Sequence, residues 1–493
     1  MDTDTIVAQA TAKGIGGVSV IRLSGPGSLK TALSFFTVNR PAPDETPGKP
    51  AAQNMVSKSP PNTEGGRGSN GACGWLAPRY MYYGGIDTKN LKEQCLFVYF
   101  KEPQSFTGED VVEIQCHGGY YISGQIINLC IQNGARLAEP GEFSRRAFIN
   151  GKMSLDEAEG IVDLINAESE AEMKAGFNLM QGKLFNTVKQ MQTKLTDTLA
   201  EIEVNLDYPE NDIEYKTKDK IKDTLQGVLG ELKELNVTES TGRLIKQGVS
   251  VVIVGRPNVG KSSLLNAMVS FNRAIVADTP GTTRDFIEET YVFGGIKFKL
   301  FDTAGLRESS DSVEKIGIGK AKELVNSADI VLVLLDAGRL TNLDLQNLKL
   351  VKDTNYLIVV NKIDREENID YTKLGQFIKM KARPGRKGDK LNVIKISALQ
   401  NINIDELKQS IYDLTVNKKI AESDLVLTNK RHTESVKHAM ELLEQCIKNM
   451  KKLSLDLIAA DVKEVWNTLG EITGETATEE IIDAIFSKFC LGK

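Results

Sequence analysis

The sequence predicts a multidomain protein that combines α/β and all-α parts: an N-terminal α+β domain, a discontinuous helical domain and an α/β domain inserted into it. The chain has 493 residues, more than a single hydrophobic core usually holds. From Val249 to about residue 412, apolar strand-like runs alternate with helical stretches, a pattern typical of a parallel sheet covered by helices. Helical sequence lies on both sides of this segment, which indicates that the α/β domain interrupts a helical one.

The predicted domains cover residues 1–150, 151–247, 248–415 and 416–493. In the first, strand-like runs such as VSVIRLSG and VVEIQCHGG are bounded by Gly and Pro. Ser154 and Glu157 form a capping-box pattern that predicts the start of a helical region. Further along, apolar residues recur at steps of three and four, which predicts an amphipathic helix that faces a bundle core. These residues are Leu184, Val188, Met191, Leu195, Leu199, Ile202 and Leu206.

Composition restricts the compartment and the ligands. The formal net charge of -5 excludes bulk polycationic binding of nucleic acid, so contact with RNA requires a local basic patch or a partner. The six cysteines include no C-x-x-C pair and there are only three histidines, which argues against a zinc site and favours reduced thiols. The start of the chain has no cationic, apolar or Arg-rich leader, and no apolar run has the length of a membrane span. We therefore predict a cytoplasmic protein without a membrane partner.

A phosphate-binding loop follows the strand-like run VSVVIV. GRPNVGKS, residues 255–262, fits the pattern G-x-x-x-x-G-K-[ST] and leads into a helix, as a nucleotide-binding loop requires. Its glycines let backbone N–H groups turn toward phosphates, Lys261 suits the β and γ phosphates, and Ser262 suits Mg²⁺. By itself this pattern predicts only that the chain binds a nucleoside triphosphate.

Two later segments identify the base as guanine. NKID, residues 361–364, follows an apolar strand, and the Asp364 carboxylate can accept hydrogen bonds from N1–H and the 2-amino group of guanine. Adenine lacks this pair of donors and would leave the carboxylate unsatisfied. ISAL, residues 396–399, adds the backbone N–H of Ala398 for the guanine O6.

Two motifs near the γ-phosphate complete the pattern of a Ras-like P-loop GTPase. DTAG, residues 302–305, stands at a strand end, and GTTRD, residues 281–285, contains Thr283, which can complete the Mg²⁺ shell and sense the γ-phosphate. Leu306 follows DTAG, where many related GTPases have the glutamine that orients the attacking water. Hydrolysis therefore needs another water-positioning group and another positive charge.

Two residues can fill these roles. Asn258, inside the phosphate loop, can hold a monovalent cation near the β and γ phosphates, which would act as an arginine finger does. Glu314, in the segment SDSVEKIG after DTAG, can orient the water. The alternative for Glu314 is an ordinary solvated carboxylate at the start of a helix.

With these motifs identified, the chain resembles the MnmE (also called TrmE) family of tRNA modification GTPases over nearly its whole length. The likeness rests on DTIVAQAT, SFTGEDVVEIQCHGG, PGEFSRRAFINGK, the nucleotide motifs, DTAGLRE and the terminal FCLGK, which matches the family's C-x-G-K ending. Only the loop at residues 37–77 and the basic insertion near residues 381–390 fall outside it. The resemblance implies an N-terminal folate-binding domain, a discontinuous helical domain and an inserted GTPase domain.

The resemblance also implies a reaction and partners. Members of this family form homodimers through their N-terminal domains and act with the FAD protein MnmG (GidA). Together they install a (carboxymethyl)aminomethyl group on C5 of the wobble uridine of certain tRNAs. The implied cofactors are GTP, Mg²⁺, K⁺ and a tetrahydrofolate derivative, methylene-tetrahydrofolate, which supplies the one-carbon unit.

Site residues follow from the motifs and from the resemblance. The resemblance assigns folate contacts to Arg22, Glu113, Lys152 and Lys493. Magnesium ligands are predicted at Ser262 and Thr283, and the resemblance implies potassium ligands at Asn258, Ala277, Thr279 and Thr282. The predicted catalytic residues are Lys261, Glu314 and Cys490. The predicted GTP-binding residues are Asn258, Val259, Gly260, Lys261, Ser262, Ser263, Ala277, Asp278, Thr279, Pro280, Gly281, Thr282, Thr283, Asp302, Thr303, Ala304, Gly305, Asn361, Lys362, Asp364, Ser397, Ala398 and Leu399.

The terminal FCLGK follows an apolar run directly, whereas chain ends are usually solvated. If the last helix folds back, FCLGK reaches the folate pocket, with Lys493 at the ligand and Cys490 beside the one-carbon centre. The Cys490 thiol then has two alternative roles, as a nucleophile or as a small residue that packs well.

Two other functions compete with wobble-uridine modification. One is a potassium-activated GTPase switch in ribosome assembly, which binds RNA without one-carbon chemistry. The other is a free-standing folate aminomethyltransferase, which leaves the GTPase motifs unexplained. The N-terminal block and FCLGK favour tRNA modification over the assembly switch, because such a switch has no need for a folate pocket.

Overall fold

The computed structural model describes residues 4–38, 76–207, 213–269, 288–302, 322–351, 354–379, 393–416 and 423–492. Contacts divide the chain into two compact units, which are described separately. The first combines Met1–Ala158 with Ala477–Lys493, and the second is Glu159–Thr476. The chain end thus groups with the N-terminal domain, whereas the sequence analysis grouped it with the helical domain. The four predicted domain boundaries themselves stay a prediction.

The first unit is built on a mixed β-sheet. Its strands are β1 (Thr5–Gln9), β2 (Val18–Ser24), β3 (Phe36–Val38), β4 (Met81–Asp87), β5 (Lys92–Phe100), β6 (Val111–His117) and β7 (Ala135–Leu137). Their order is β3-β4-β5-β6-β2-β1-β7. Neighbouring strands are antiparallel, except that β1 and β7 are parallel.

Both faces of this sheet are covered, each by its own apolar cluster. Alternate residues of a strand point to opposite faces, so neighbouring residues of β1 pack in different clusters. Val7 of β1 belongs to one apolar cluster, which includes residues of α1 (Ser28–Leu33) and α2 (Tyr120–Gln132). Its neighbours Ile6 and Ala8 belong to a second cluster with Phe143 of α3 (Glu142–Ile149). The second cluster also receives a residue from the chain end, as described below.

The predicted capping box is present at the start of α4 (Leu155–Ile165). The backbone N–H of Ser154 donates to the Glu157 carboxylate (2.7 Å), and the backbone N–H of Glu157 donates to Ser154 Oγ (3.4 Å). Each side chain thereby satisfies a backbone donor that the first helical turn leaves unpaired.

The second unit contains a helical bundle and an α/β domain. Its helices, in chain order, are α5 (Glu170–Met180), α6 (Lys183–Asp207), α7 (Ile213–Val237), α8 (Glu239–Gln247), α9 (Lys261–Val269), α10 (Asn342–Leu350), α11 (Tyr371–Lys379), α12 (Ile404–Thr415), α13 (Lys430–Asn449) and α14 (Leu455–Thr473). Among the described residues, every helix is too short or too polar to serve as a membrane-spanning segment.

One apolar core joins the helices before and after the α/β domain. Leu195 of α6 and Leu225 of α7 pack in the same cluster as Leu443 of α13 and Ile458 of α14. This shared core confirms the predicted insertion. The apolar stripe predicted for α6 is buried or half-buried, except that Leu206 is 45% exposed in the last turn of the helix.

The α/β domain is a six-stranded sheet of the predicted type. Its strands are β8 (Val249–Val254), β9 (Glu288–Phe293), β10 (Ile296–Asp302), β11 (Ile330–Asp336), β12 (Tyr356–Asn361) and β13 (Val393–Ile396). They are ordered β13-β12-β11-β8-β10-β9, and all neighbouring pairs are parallel except β9 with β10. β11 reads as an unbroken apolar run because helices cover both faces of a parallel sheet.

The turn of the β9–β10 hairpin contacts α5 of the bundle. The backbone N–H of Ala171 donates to the Gly295 oxygen (2.9 Å). Lys297, on β10, is buried, and its Nζ lies 2.8 Å from Glu168 and 3.1 Å from Glu172. Burial alone would lower the pKa of Lys297, but the hydrogen bonds to the two carboxylates outweigh it and the pKa is raised. The lysine is therefore a charged, paired residue between sheet and bundle.

A buried ionic cluster joins α4 to α13. Oε2 of Glu159 accepts from Nη2 of Arg431 (2.7 Å) and lies 2.6 Å from Nε2 of His432, while Oε1 accepts from Asn429 (2.8 Å). Glu159 is 8% exposed. Burial alone would raise the pKa of Glu159, but the charge of His432 and the hydrogen bonds from His432 and Arg431 lower it to about 2.

Glu159→Ala is expected to lower the free energy of unfolding by roughly 3–5 kcal/mol, because it removes one partner of a buried ionic cluster. Urea unfolding measures this loss. The stabilisation is present above the ordinary pKa of glutamate and is lost as pH falls through the lowered pKa of about 2. The difference between the variant and the unmodified chain should therefore narrow in that acidic range.

Glu239→Ala is the matched control, because it removes an exposed ion pair with Lys437 of the same helix α13. Its expected cost is at most about 1 kcal/mol. Equal losses from the two substitutions at neutral pH would contradict the prediction for Glu159.

Candidate functional site

The described parts of the predicted nucleotide motifs lie at one end of the second sheet, where its parallel strands end; GTTRD, residues 281–285, lies outside the described residues. Asp302 lies opposite Ile253, and Asp336 lies opposite Asn361. Asn361 in turn lies opposite Ile396. The loops that follow β8, β10, β12 and β13 therefore start side by side. Open α/β sheets bind their ligands at such carboxyl ends.

The loop between β8 and α9 has the geometry of a phosphate cradle. Asn258 (φ 60°) and Gly260 (φ 100°) adopt left-handed backbone conformations, and turns of this kind can aim N–H groups at an anion. Lys261 is buried, and its Nζ donates to the backbone oxygens of Gly255 (3.1 Å) and Arg256 (3.2 Å). α9 begins at Lys261, so a helix N-terminus adds its positive end at the same place.

At Gly260 this loop contacts NKID, residues 361–364, which is predicted to recognise the base and is called the base-reading segment here. A Cβ at Gly260 would lie 2.4 Å from Nδ2 of Asn361, so both the positive φ and the available space require glycine. Val259 is buried, whereas Ser262 and Ser263 are exposed at the start of α9. The Ser262 hydroxyl is therefore accessible to a metal ion.

Asn361 connects the phosphate loop to the segment after β13. It is 2% exposed; its Nδ2 donates to the Val259 oxygen (2.9 Å), and its Oδ1 accepts from the backbone N–H of Ala398 (3.0 Å). That N–H is the one the sequence analysis assigns to the guanine O6, and in this structure it is bonded within the protein. Its use by guanine stays a prediction.

Asp364, the predicted guanine reader, is held by Ser397. The buried Ser397 Oγ donates to Asp364 Oδ1 (2.5 Å) and accepts from the backbone N–H of Gln400 (3.2 Å). The serine thereby fixes the orientation of the carboxylate. Leu399, in the same segment, is 79% exposed.

Lys362 reaches back to the phosphate loop. Its Nζ donates to the Asn258 backbone oxygen (2.7 Å) and to Oδ2 of Asp336 (2.8 Å). Asp336 is not among the site residues predicted from the sequence. The available signal was an acidic residue directly after the apolar run of β11, in line with Asp302 and Asn361 at the ends of β10 and β12.

Several predicted site residues lie outside the described residues. They are Ala277, Asp278, Thr279, Pro280, Gly281, Thr282, Thr283, Thr303, Ala304, Gly305, Glu314 and Lys493.

In the first unit, the predicted folate residues Arg22 and Glu113 form an ion pair. They lie opposite each other on β2 and β6, and Oε1 of Glu113 is 2.9 Å from Nε and 2.8 Å from Nη2 of Arg22. Both side chains are almost one-fifth exposed. The guanidinium carbon lies 5.3 Å from the ring centre of Phe106 and 5.8 Å from that of Phe143, within range of cation–π attraction.

Lys152, the third predicted folate contact, lies beside the loop that carries Phe106. Its Nζ donates to the Pro103 oxygen (3.1 Å), and its side chain is exposed. A Cβ at Gly108 would lie 3.3 Å from its Cγ. The same loop thus contacts Lys152 and, through Phe106, Arg22.

The last helix, α15 (Glu479–Phe486), folds onto α3. The Phe486 ring centre lies 6.1 Å from that of Phe148, and Asp483 pairs with Arg145 at 2.9 Å. The role predicted for FCLGK requires this helix to fold back, and within the first unit it does so.

The chain end then runs along the sheet. Leu491 forms a β-bridge with Pro140 and packs against the apolar cluster that contains Phe143, the residue beside Arg22. Gly492 has a φ of 95°, and a Cβ there would lie 2.1 Å from the Gln9 oxygen. The docked segment therefore depends on a glycine at this position. Cys490, which directly precedes Leu491, is exposed.

Two protein families match the chain. The family described as "GTP-binding protein TrmE N-terminus" matches residues 5–152, and the "MnmE helical domain" matches residues 155–490. Among solved structures, the G domain of the T. maritima FeoB iron transporter matches 34% of this chain and 98% of its own, at 26% identity. Its TM-score of 0.25 is too low to carry an argument.

Full-length relatives give a stronger comparison. A protein of Clostridioides difficile named tRNA modification GTPase MnmE is 38% identical over 99% of both chains. A protein of the same name from Desulforamulus reducens is 40% identical, also over 99% of both chains. Since these matches extend over almost the entire length, the chain belongs to the MnmE family of tRNA modification GTPases.

Proposed function

We propose that the chain is the GTP-hydrolysing subunit of a complex that adds a (carboxymethyl)aminomethyl group to C5 of the wobble uridine of certain tRNAs. The observation that carries this proposal is the packing of Leu491, near the chain end, in the apolar cluster of Phe106 and Phe143, whose rings face Arg22. The same chain also has guanine-nucleotide motifs where the parallel strands of the second sheet end. A ribosome-assembly switch would need only the nucleotide site. The name of the relatives, tRNA modification GTPase, supports tRNA as the substrate.

In the proposed nucleotide site, Lys261 and the loop N–H groups hold the β and γ phosphates, and Asp364 reads guanine. Ser262 and Thr283 are the proposed Mg²⁺ ligands. The exposed Ser262 hydroxyl and the Asp302 carboxylate at the neighbouring strand end are oxygen donors of the type that Mg²⁺ prefers. Bound Mg²⁺ supplies neutralisation of the phosphate charge.

The proposed potassium ligands are Asn258, Ala277, Thr279 and Thr282. The Asn258 side chain is exposed, and its backbone is fixed by Lys362, so its amide oxygen is available to a cation. Bound K⁺ supplies positive charge at the phosphates. Glu314 is the proposed water-orienting group, because Leu306 has no polar atom for this role.

In the proposed folate site, Glu113 accepts hydrogen bonds from the N3–H and 2-amino group of the pterin. Arg22 bonds its Oε1, and a carboxylate has two oxygens with further acceptor sites. Lys152 and Lys493 suit the carboxylates of the glutamyl tail. The exposed Cys490 thiol is proposed to lie at the one-carbon centre.

The proposed partners are a second copy of the chain, the FAD protein MnmG and tRNA, and the proposed location is the cytoplasm. Methylene-tetrahydrofolate is the proposed one-carbon donor. An acidic chain with a net charge of -5 attracts tRNA only weakly overall, which is consistent with a partner that shares in tRNA binding.

Nucleoside analysis of tRNA from cells that lack this chain tests the proposal. The modified wobble uridine should disappear. It should return when the wild-type chain is expressed in these cells, but not when the Lys261→Ala variant is. Intact wobble uridine together with a ribosome-assembly defect would favour the assembly switch instead.

GTP hydrolysis is expected to be much faster in potassium than in sodium salts. The cation stands where other GTPases use an arginine finger, whose loss costs roughly 10³ to 10⁵ in rate. Phosphate release, measured in the two salts at equal ionic strength, checks this. Lys395→Ala, which removes an exposed ion pair with Glu367, is a control that should respond to potassium as the unmodified chain does. Equal rates in the two salts would refute the potassium site.

A further inference from the structure

Asp336 ends the central strand β11 and connects the base-reading segment to the phosphate loop. Its Oδ2 accepts from Nζ of Lys362 (2.8 Å), and its Oδ1 accepts from the backbone N–H of Gly338 (2.9 Å). Nη2 of Arg256, in the phosphate loop, lies 3.4 Å from Oδ2. One carboxylate therefore faces a cation from each of the two nucleotide motifs.

The Lys362 contact extends to a residue of the phosphate loop that has a left-handed backbone conformation. Its Nζ also donates to the Asn258 backbone oxygen (2.7 Å). Asn258 has a φ of 60°, which costs free energy in any residue other than glycine and persists only where surrounding contacts hold it. The contacts of Lys362 with Asp336 on one side and with Asn258 on the other supply such a restraint.

Arg256 interacts with its acidic neighbours through charge rather than through well-formed hydrogen bonds. Its Nε is buried without a hydrogen bond among the described residues and lies 3.5 Å from Oδ2 of Asp344, while its Nη2 lies 3.4 Å from Oδ2 of Asp336. Asp344 lies in the first turn of α10 and already serves the capping box with Thr341. Asp336 is thus the carboxylate that Arg256 shares with Lys362.

The carboxylate of Asp336 stays charged in this environment. Burial alone would raise the pKa of Asp336, but the hydrogen bonds from Lys362 and Gly338 and the charges of Lys362 and Arg256 outweigh it, and the pKa is lowered. Hydrogen bonds to a charged group of this kind contribute more than neutral ones.

We propose that Asp336 is a positioning residue for the nucleotide: through Lys362 and Arg256 it holds the phosphate loop, with Asn258 in its left-handed conformation, against the base-reading segment. This inference rests on the proposed GTPase function and adds a specific residue to it. Asp336 has no assigned contact with the nucleotide and acts through its two cationic neighbours.

Asp336→Asn is the test substitution. Asparagine offers one acceptor oxygen where aspartate offers two, so it can keep the bond from Gly338 or the bond from Lys362, but not both. GDP affinity should fall by about 10- to 100-fold, as expected for a lost hydrogen bond to a charged group. Titration of the full chain with a fluorescent GDP analogue measures this.

Asp329→Asn is the matched control. Asp329 precedes the other end of β11, accepts from Ser250 and pairs with Arg243, so its loss also removes charged hydrogen bonds from this strand. Asp329→Asn should lower the urea midpoint of unfolding to a similar extent as Asp336→Asn does, and it should leave GDP affinity unchanged. A purely structural role for Asp336 would make the two variants equal in both measurements.

A double-mutant cycle with Lys362→Met tests whether Asp336 acts on nucleotide binding through Lys362. Asp336→Asn should weaken GDP binding little further once Lys362 is removed, whereas Asp329→Asn should be additive with Lys362→Met. GDP binding that is unchanged or tighter in Asp336→Asn would overturn the inference. The removal of a negative charge near the phosphates would then matter more than any loss of positioning. If the unmodified chain bound no GDP, the proposed function and this inference would both fail, a result distinct from the preceding one.

Discussion

Asp364→Asn is expected to change the base preference of the chain from guanine to xanthine. Two hydrogen bonds from guanine to the carboxylate would be lost, and such bonds are worth roughly 3–6 kcal/mol together, so GTP affinity should fall by about 10² to 10⁴-fold. Xanthine carries an oxygen in place of the 2-amino group, which the new amide can serve as a donor. Competition of GDP and xanthosine diphosphate for a fluorescent nucleotide measures the change.

The structure indicates why the substituted amide should be correctly oriented. Ser397 Oγ donates to Oδ1 of Asp364, so after the substitution the amide oxygen should occupy that position and the NH₂ group should take the place of Oδ2. Asp405→Asn, at an exposed position of α12, is the control and should keep guanine preference. Unchanged guanine preference in Asp364→Asn would show that another residue reads the base.

Deletion of residues 490–493 is expected to abolish wobble-uridine modification and to leave GTP hydrolysis largely intact. The deleted residues belong to the first unit, and the five nucleotide motifs belong to the second. Removal of Leu491 takes a residue from the cluster that contains Phe143, beside Arg22, and removal of Lys493 takes a proposed folate contact. Nucleoside analysis and phosphate release measure the two activities separately. Normal folate affinity and normal modification after the deletion would make FCLGK an ordinary chain end.

Gly492→Ala tests the docking without removing any proposed functional group. Its Cβ would meet the Gln9 oxygen at 2.1 Å, so the segment should leave the sheet and modification should fall. Gly134→Ala is the matched control: Gly134 has a φ of 98°, close to the 95° of Gly492, but open space around its Cβ position. Equal loss of modification in both variants would assign the effect to backbone strain rather than to docking.

Cys490→Ser separates the two roles of the thiol. A covalent step would lose most of its rate, because a hydroxyl is a far weaker nucleophile near neutral pH. A packing role would tolerate this near-isosteric change. Because Cys490 is exposed in the structure, its packing contribution is small, and a large loss of modification in Cys490→Ser would support the nucleophile.

The sequence predicted best those features that a local pattern encodes. The phosphate loop and NKID each follow a buried strand, so their meeting at one sheet edge follows from the parallel topology alone. The capping box at Ser154 is likewise a pattern within four residues, and both of its hydrogen bonds are present.

Features that depend on contacts between distant segments were harder to predict. The importance of Asp336 arises from Lys362 and Arg256, which are remote in sequence, and a single acidic residue after a strand gives no sign of them. The bridge between Leu491 and Pro140 joins segments that are far apart in the sequence, and periodicity carries no information about such a pairing. Leu206 fits the apolar repeat of α6 but lies in its last turn, where few neighbours remain to cover it.

The contact between the β9–β10 hairpin and α5 has a mechanical consequence. An inserted domain that is joined to its host only by its two chain crossings can pivot about the line through them, as a door turns on two hinges. The contacts of Lys297 and Gly295 with α5, like the ion pair between Arg243 of α8 and Asp329, are further attachments that resist this rotation. A displacement of β10 at the end where Asp302 lies would therefore either move α5 with it or first break the ion pairs of Lys297.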